Sequence, residues 1–279
     1  MNAHDFVWYE LSTTDVQSAK AFYTGVMGWG TWDASAPGRP YVLLTAGDRV
    51  VCGLTQLPDD AQRIGAGPCW IGYVGVDDVD ATADRIARLG GGVHVPPTNV
   101  ANISRFSVVS DPQAARLGLF KWLQSPPSER AAPDTLGCVG WHELLAADPD
   151  TAFDFYSELL GWQKHDPDGE TAGPYHLFSA GDETIGAMAT MLADMATPFW
   201  LYYFNVSDVD LAAQRIVAAG GEILGGPDEI AGGSWAVQCR DPQGAVFALE
   251  GMRKVKPVGY FERTGPRAPA SGRGRRWSW

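Results

Sequence analysis

The chain has 279 residues, of which 45% are hydrophobic, and it carries a net charge of −12 at pH 7. This length and composition suffice for two domains with ordinary hydrophobic cores. The acidic balance disfavours nucleic-acid binding, because phosphates would be repelled, and no apolar run is long enough for a membrane-spanning helix.

The residues at the amino terminus and the spacing of the cysteines indicate the cellular compartment of the protein. No basic segment followed by an apolar run stands at the start, so we expect no signal peptide. The four cysteines are scattered, with no Cys-x-x-Cys pair, which fits a reducing environment better than a disulfide framework. We therefore expect a cytoplasmic protein.

The first elements form a β-α-β-β-β unit. A strand is predicted at 6–12, and a helix follows from the N-cap signal Thr13-Thr14-Asp15, with Gln17 three residues after Thr14, to about Met27, where Gly28 ends it. Short strands at 41–45 and 50–54 are separated by a turn. A second unit has a strand at 70–76, a helix at 78–89, and strands near 93–95, 105–109 and 115–122.

Both units occur a second time. The segment Val7-Trp8-Tyr9-Glu10-Leu11 returns 133 residues later as Gly140-Trp141-His142-Glu143-Leu144. The segment that begins Trp70-Ile71 returns 130 residues later at Trp200-Leu201. The repeat predicts four units, at residues 6–57, 68–123, 139–192 and 198–252.

These units predict a first domain at 1–124, a linker at 125–136, a second domain at 137–252 and a tail at 253–279. The only long Pro- and Ser-rich connection runs from Gln124 to Gly137, so sequential units are the simplest pairs. The sequence leaves open an exchange of units between halves or subunits, and also a homodimer.

The motifs of the units carry a family resemblance. One unit has Asp…Phe-Tyr…Gly-Trp, and the next has Asp-Val-Asp…Gly-Gly…Asp-Pro-Gln. The chain resembles the vicinal oxygen chelate superfamily of glyoxalases, bleomycin resistance proteins and extradiol dioxygenases. It is most similar to a four-unit subgroup typified by a mycobacterial 27-kDa antigen and by actinobacterial proteins labelled as hydroxylases. The resemblance implies an α+β fold, in which four βαβββ units form two curved, mixed half-barrel sheets with helices outside.

The resemblance also implies eight metal-ligand positions, at which the family's enzymes carry His or Glu. Mapped by spacing from the repeated landmarks, they fall on Trp8, Gly53, Ile71, Gly118, Trp141, Ala187, Leu201 and Ala248. None of these side chains is a metal donor. His142 neighbours Trp141, but on the opposite face of its strand, so we interpret it as structural. We expect neither a metal nor another cofactor.

Two acids remain on the strand face that the resemblance assigns to the cavity. Glu10 shares this face with Trp8, and Glu143 shares it with Trp141. We predict Glu10 and Glu143 as catalytic candidates, because burial beside an indole raises the pKa of a carboxyl. The further candidates for ligand binding, besides the two tryptophans, are Arg105, Phe106 and Trp235. In the alternative interpretation the acids are structural, with Arg105 as the ion-pair partner of Glu10.

The function is left between two hypotheses. One is a protein that binds a flat aromatic or polyketide-like metabolite of actinobacterial secondary metabolism. The other is a metal-independent enzyme that uses Glu10 or Glu143 for proton transfer. A metal-dependent lyase, dioxygenase or hydroxylase is the alternative that the mapping disfavours.

The tail differs from the rest of the chain in charge. From Arg253 to Trp279 it carries a charge of +7, which leaves −19 on the body. We predict either a disordered appendage or a segment that docks on the acidic body through Trp277 and Trp279.

Overall fold

The computed structural model describes residues 4–36, 40–63, 65–126, 131–165, 175–192 and 195–253. The predicted docking tail therefore lies outside the described residues, apart from Arg253. The described chain forms two mixed sheets of eight strands, and neither closes into a barrel. This confirms the predicted α+β fold class.

The first half comprises one sheet and three helices. Its strands are β1 (Phe6–Thr13), β2 (Gly30–Asp33), β3 (Tyr41–Ala46), β4 (Arg49–Gln56), β5 (Cys69–Gly75), β6 (Gly92–Val100), β7 (Ser104–Ser110) and β8 (Arg116–Trp122). Its helices are α1 (Val16–Met27), α2 (Asp59–Arg63) and α3 (Val79–Arg88).

The second half repeats this plan. Its strands are β9 (Val139–Ala146), β10 (Gln163–His165), β11 (Tyr175–Ala180), β12 (Glu183–Thr190), β13 (Phe199–Val206), β14 (Glu222–Glu229), β15 (Trp235–Arg240) and β16 (Val246–Gly251). Its helices are α4 (Pro149–Leu160), α5 (Val209–Ala218) and a 3-10 turn at Ala231–Gly233.

The repeated helices begin and end by the same local chemistry. The Asp15 carboxylate accepts hydrogen bonds from the backbone N–H groups of Gln17 and Ser18, which start α1. Gly28 ends the helix at φ 71°, a left-handed conformation that suits glycine. Asp148 and Gly161 do the same for α4, where the φ of the glycine is 70°.

Sequential units pair within each sheet. The first sheet has the order β2-β3-β4-β1-β5-β8-β7-β6, and the second has the order β10-β11-β12-β9-β13-β16-β15-β14. The two units of the first half meet where β1 runs antiparallel to β5, and those of the second half meet where β9 runs antiparallel to β13. Within this chain, therefore, sequential units pair, which is the simplest arrangement that the sequence offers.

Three clusters of buried side chains form the core. The largest includes the helix residues and one face of each sheet, and it takes members from both halves. The two smaller clusters lie on the other face, one in each half. The halves therefore share one core on the helix side, and each keeps a separate apolar surface on its second face.

Helices of one half contact those of the other. Helix α1 packs against α5, and α3 packs against α4. The ring of Phe22 contacts that of Phe247 edge to face, with centroids 6.2 Å apart. Within the described residues, no helix is both long and apolar enough to cross a bilayer.

Candidate functional site

The second face of the first sheet carries a cavity of about 570 Å³. The side chains that line it from the strands are Trp8, Glu10, Tyr41, Leu43, Tyr73, Phe106, Phe120 and Trp122. The turn between β6 and β7, residues 99–104, contributes to the rim. The volume and the aromatic walls are typical of a small-molecule site.

Glu10 is the acid of this cavity, and two phenols hold it. The Tyr41 hydroxyl donates to Glu10 Oε2 at 2.8 Å, and the Tyr73 hydroxyl donates to Oε1 at 3.3 Å. The indole Nε1–H of Trp8 donates to the Tyr41 oxygen at 3.1 Å. The carboxylate is thus anchored as part of a network that begins at Trp8.

Both phenols are donors at neutral pH. Burial raises the pKa of Tyr41 well above its ordinary value, and the neighbouring charge of Glu10 raises it further. The same two causes raise the pKa of Tyr73. Each hydroxyl therefore keeps the proton that it shares with Glu10.

The two tyrosines occupy the space above two of the positions to which the family's metal ligands map. A Cβ built on Gly53 would lie 1.9 Å from the Tyr41 oxygen, and one built on Gly118 would lie 2.0 Å from Cδ1 of Tyr73. The strand ladder pairs Glu10 with Gly53 and Tyr73 with Gly118. Phenol rings therefore fill the place where the family's glutamates would project.

The remaining positions of the mapping do not fit a divalent metal either. Ile71 and Trp8 belong to the apolar cluster on the cavity face, and Leu201 and Ala248 belong to its counterpart in the second half. No group of three His, Cys, Asp or Glu side chains that could hold an ion occurs among the described residues. The donor set of the family's enzymes is not present at these positions.

The second half has a related but more deeply buried acid. The Tyr203 hydroxyl donates to Glu143 Oε2 at 2.5 Å, and Glu143 is 1% exposed, whereas Glu10 is partly exposed. Burial, followed by the charge of Glu143, raises the pKa of Tyr203. Trp141, the counterpart of Trp8, is half-buried in the cluster of this face.

Arg105 does not belong to the cavity. Its Nε and Nη2 atoms donate to the two oxygens of Asp80, each at 2.6 Å, on the helix side of the sheet. Its neighbour Phe106 lines the cavity, and alternate side chains of a strand point to opposite faces. The predicted ion pair between Arg105 and Glu10 is therefore wrong, and the predicted placement of Arg105 as a ligand residue fails for the same reason.

Trp235 lies on the same side as Arg105, its counterpart in the repeat. It packs against the shared core, and the Arg253 guanidinium lies over its ring, 4.6 Å from the centroid. Arg253 is held there by Asp210, at 2.7 Å. Trp235 is thus a packing residue on the helix side rather than part of the cavity face.

His142 is placed away from the cavity face, as its position in the strand predicts. Its Nδ1 contacts the Ile185 carbonyl oxygen at 2.6 Å, and its Nε2 lies 2.6 Å from the Tyr9 hydroxyl. The ring stacks on Phe6 with centroids 4.0 Å apart. The histidine therefore joins the two halves, since Phe6 and Tyr9 belong to β1.

Four aromatic residues of the cavity were not among the residues predicted from the sequence. They are Tyr41, Tyr73, Phe120 and Trp122. Two of them carried a usable signal: Tyr73 is two residues from Ile71, and Phe120 is two residues from Gly118, so period two puts them on the same face as these mapped positions. Tyr41 carried none, because its role depends on the register between β3 and β4.

Comparisons with known proteins agree with this geometry. The model of the family described as Glyoxalase/Bleomycin resistance protein/Dioxygenase superfamily matches residues 5–118 and 139–249. A protein of Mycobacterium bovis named "Putative glyoxylase CFP32" is 34% identical over 245 residues, which are 87% of this chain and 92% of the relative.

A second relative and a solved structure extend the comparison. The "Anthracycline biosynthesis protein DauV" of Streptomyces sp. (strain C5) is 28% identical over 267 residues, covering 90% of this chain and 94% of that protein. The Mn(II)-bound glyoxalase from Novosphingobium aromaticivorans superposes with a TM-score of 0.60 at 16% identity, over 90% of this chain and 82% of the other. At that identity the likeness shows the fold alone.

Proposed function

The chain belongs to the glyoxalase, bleomycin resistance protein and dioxygenase superfamily, and on that premise we propose that it binds a flat aromatic metabolite without a metal. The binding site is the cavity of the first half. The observation that carries the proposal is the Glu10 carboxylate, held by Tyr41 and Tyr73 between aromatic walls, in the region where the family's metal ligands map.

The chemistry of the cavity indicates the class of ligand. Aromatic rings favour a flat, apolar body, which stacks on them or meets them edge to face. A carboxylate between such rings favours a hydrogen-bond donor, a phenolic hydroxyl or an ammonium group, at one end of the ligand. The name of the Streptomyces relative, an anthracycline biosynthesis protein, supports a polyketide-like metabolite of secondary metabolism.

The second candidate is a metal-independent enzyme in which Glu10 moves a proton. Glu10 faces the cavity, so a substrate would reach it. Both of its oxygens already accept a hydrogen bond from a phenol, which favours an anchored acceptor over a base. Glu143, the other predicted catalytic acid, is 1% exposed. A ligand would therefore reach Glu10 and not Glu143.

A binding titration tests the proposal. With 2-hydroxyanthraquinone as probe, we expect saturable quenching of tryptophan fluorescence and one ligand per chain by calorimetry. Glu10→Gln should weaken the affinity about ten-fold, because a charged acceptor becomes neutral. Glu229→Gln, which changes an exposed acid of the second half, is the matched control and should bind as the wild type does.

The outcomes separate the hypotheses. Equal affinity of the wild type and Glu10→Gln would contradict the assignment of Glu10. A product that forms with the wild type but not with Glu10→Gln would favour the enzyme. A transition metal in a 1:1 ratio to the chain, found by elemental analysis and required for binding, would overturn the metal-free site.

A further inference from the structure

Trp122 forms one end wall of the cavity. It ends strand β8, and its ring meets that of Trp8 edge to face, with centroids 6.2 Å apart. It also packs edge to face on Phe120, at 4.7 Å. The same indole also borders the small crevice between the two halves, so it lies between the cavity and that crevice.

The indole N–H of Trp122 is an unsatisfied donor. Nε1 is buried, and it has no hydrogen-bond partner in the part of the chain that the structure describes. Buried indole N–H groups nearly always find an acceptor, because leaving one unpaired is unfavourable. Five other tryptophans follow this rule, for example Trp8, whose N–H donates to Tyr41. Trp122 is thus a tryptophan at the wall of the candidate site whose buried N–H has no acceptor among the described residues.

Glu10 and Trp122 thus offer an acceptor and a donor at different ends of the cavity. Glu10 pairs with Ile71 in the ladder, whereas Phe120 pairs with Gly75, four positions further along β5. Trp122 lies two residues beyond Phe120. The Trp8 ring lies between them, because its N–H donates to Tyr41, which donates to Glu10, and its ring meets that of Trp122 with centroids 6.2 Å apart. The intervening walls are aromatic.

We propose, on the basis of the proposed function, that Trp122 determines specificity by donating a hydrogen bond to a carbonyl oxygen of the ligand. The ligand class is then a fused-ring aromatic with a hydroxyl or amine at one end, for Glu10, and a carbonyl toward the other end, for Trp122. Hydroxyquinones and hydroxyaryl ketones have this pattern. A carbonyl oxygen on a flat ligand is a neutral acceptor whose lone pairs lie in the plane of the rings. An indole N–H can donate to it in that plane.

Two probes that differ only in the carbonyls test this inference. These are 2-hydroxyanthraquinone and 2-hydroxyanthracene. We expect the wild type to bind the quinone about five-fold more tightly, the value of one hydrogen bond. Trp122→Phe keeps an aromatic ring but removes the N–H, so it should abolish this preference while its affinity for 2-hydroxyanthracene stays within about two-fold. Trp32→Phe, at an exposed edge-strand residue, is the matched control.

A measurement on the wild type makes the test independent of the variant's folding. In ¹⁵N-edited spectra, the Trp122 indole N–H resonance should move downfield with the quinone and not with 2-hydroxyanthracene. An unchanged quinone preference in Trp122→Phe, or an indole resonance that responds equally to both probes, would overturn the role of Trp122 and leave the proposed function standing. If neither probe binds to the wild type, the proposed function itself fails and this inference fails with it.

Discussion

Gly53 determines where the ring of Tyr41 lies. Because the residue has no side chain, the phenol passes over its Cα and reaches Glu10. Gly53→Ala would place a methyl group 1.9 Å from the Tyr41 hydroxyl oxygen, so Tyr41 must turn away and release both Glu10 and Trp8. We expect a loss of about 1–3 kcal/mol in the free energy of unfolding, together with weaker ligand binding. Urea denaturation and the fluorescence titration measure the two effects.

The control for this prediction is another glycine. Gly25 is exposed in helix α1, and a Cβ there would meet no atom within 4 Å. Gly25→Ala should therefore stabilise the protein by about 0.5–1 kcal/mol. If Gly53→Ala behaves in the same way as Gly25→Ala, the packing of Tyr41 over Gly53 is not what holds the site.

The neighbours Arg105 and Phe106 offer a second test at single residues. Arg105→Ala removes an ion pair on the helix side, so it should leave the ligand affinity unchanged and alter stability by less than about 1 kcal/mol. Phe106→Ala removes an aromatic wall of the cavity and should weaken binding about five-fold. The same titration measures both, and a larger effect of Arg105→Ala would contradict the assignment of faces.

Strand periodicity explains which site residues could be predicted from the sequence. It placed Trp8 with Glu10 correctly, because both lie in one uninterrupted strand. It was misapplied to Arg105 and Phe106, which are adjacent and so cannot share a face. It could not predict that Tyr41 would fill the space above Gly53. That contact depends on the register between β3 and β4 and on the length of the tyrosine side chain.

The predicted elements agree with the structure where their limits depend on local chemistry. Helix α1 begins after its capping Asp15 and ends before Gly28. Strand β6 is the exception: it was predicted near 93–95 and extends over Gly92–Val100. Pro96 and Pro97 lie in this longer strand, and they are tolerated there because β6 is at the edge of the sheet.

At the level of the elements, two buried aspartates connect the halves. The Tyr23 hydroxyl of α1 donates to Asp241 at 3.1 Å, and the Tyr156 hydroxyl of α4 donates to Asp111 at 3.2 Å. Each aspartate follows a strand of the other half and also accepts backbone N–H groups in its own turn. Burial raises the pKa of both carboxyls above the ordinary value of 3.8.

These shifts predict how stability depends on pH. An acid whose pKa is higher in the folded state contributes stability that is fully present below the unfolded-state pKa and is lost as the pH rises through the folded-state pKa. The contribution of Asp111 and Asp241 should therefore decrease from about pH 4 upward. Asp111→Asn/Asp241→Asn keeps acceptors for the backbone but does not titrate. The free energy of unfolding of the wild type minus that of this variant should decrease as the pH rises, and a constant difference would contradict the shifts.

At the level of the whole molecule, the sequence favoured sequential pairing of units without excluding an exchange, and it did not reveal the shared core. The pairing follows from short connections within each half. The core depends on contacts between residues far apart in the chain, such as the Trp29 indole N–H, which donates to the Gly137 carbonyl at 3.1 Å. The Tyr202 hydroxyl likewise accepts from the Gly72 backbone N–H at 2.7 Å. No periodicity within one unit reveals such partners.

This shared core predicts that the protein unfolds as one unit. Separating the halves would expose the buried rings of Phe22, Tyr23 and Phe247 to water, together with the unpaired Trp29 N–H. We expect a single calorimetric transition, with equal calorimetric and van't Hoff enthalpies. A fragment of residues 1–126 and one of residues 131–279 should each fail to show cooperative unfolding alone. Mixing them before refolding should restore the transition, because the largest core cluster takes members from both halves. Two separate transitions in the full chain, or a fragment that unfolds cooperatively by itself, would show instead that each half is stable without the other.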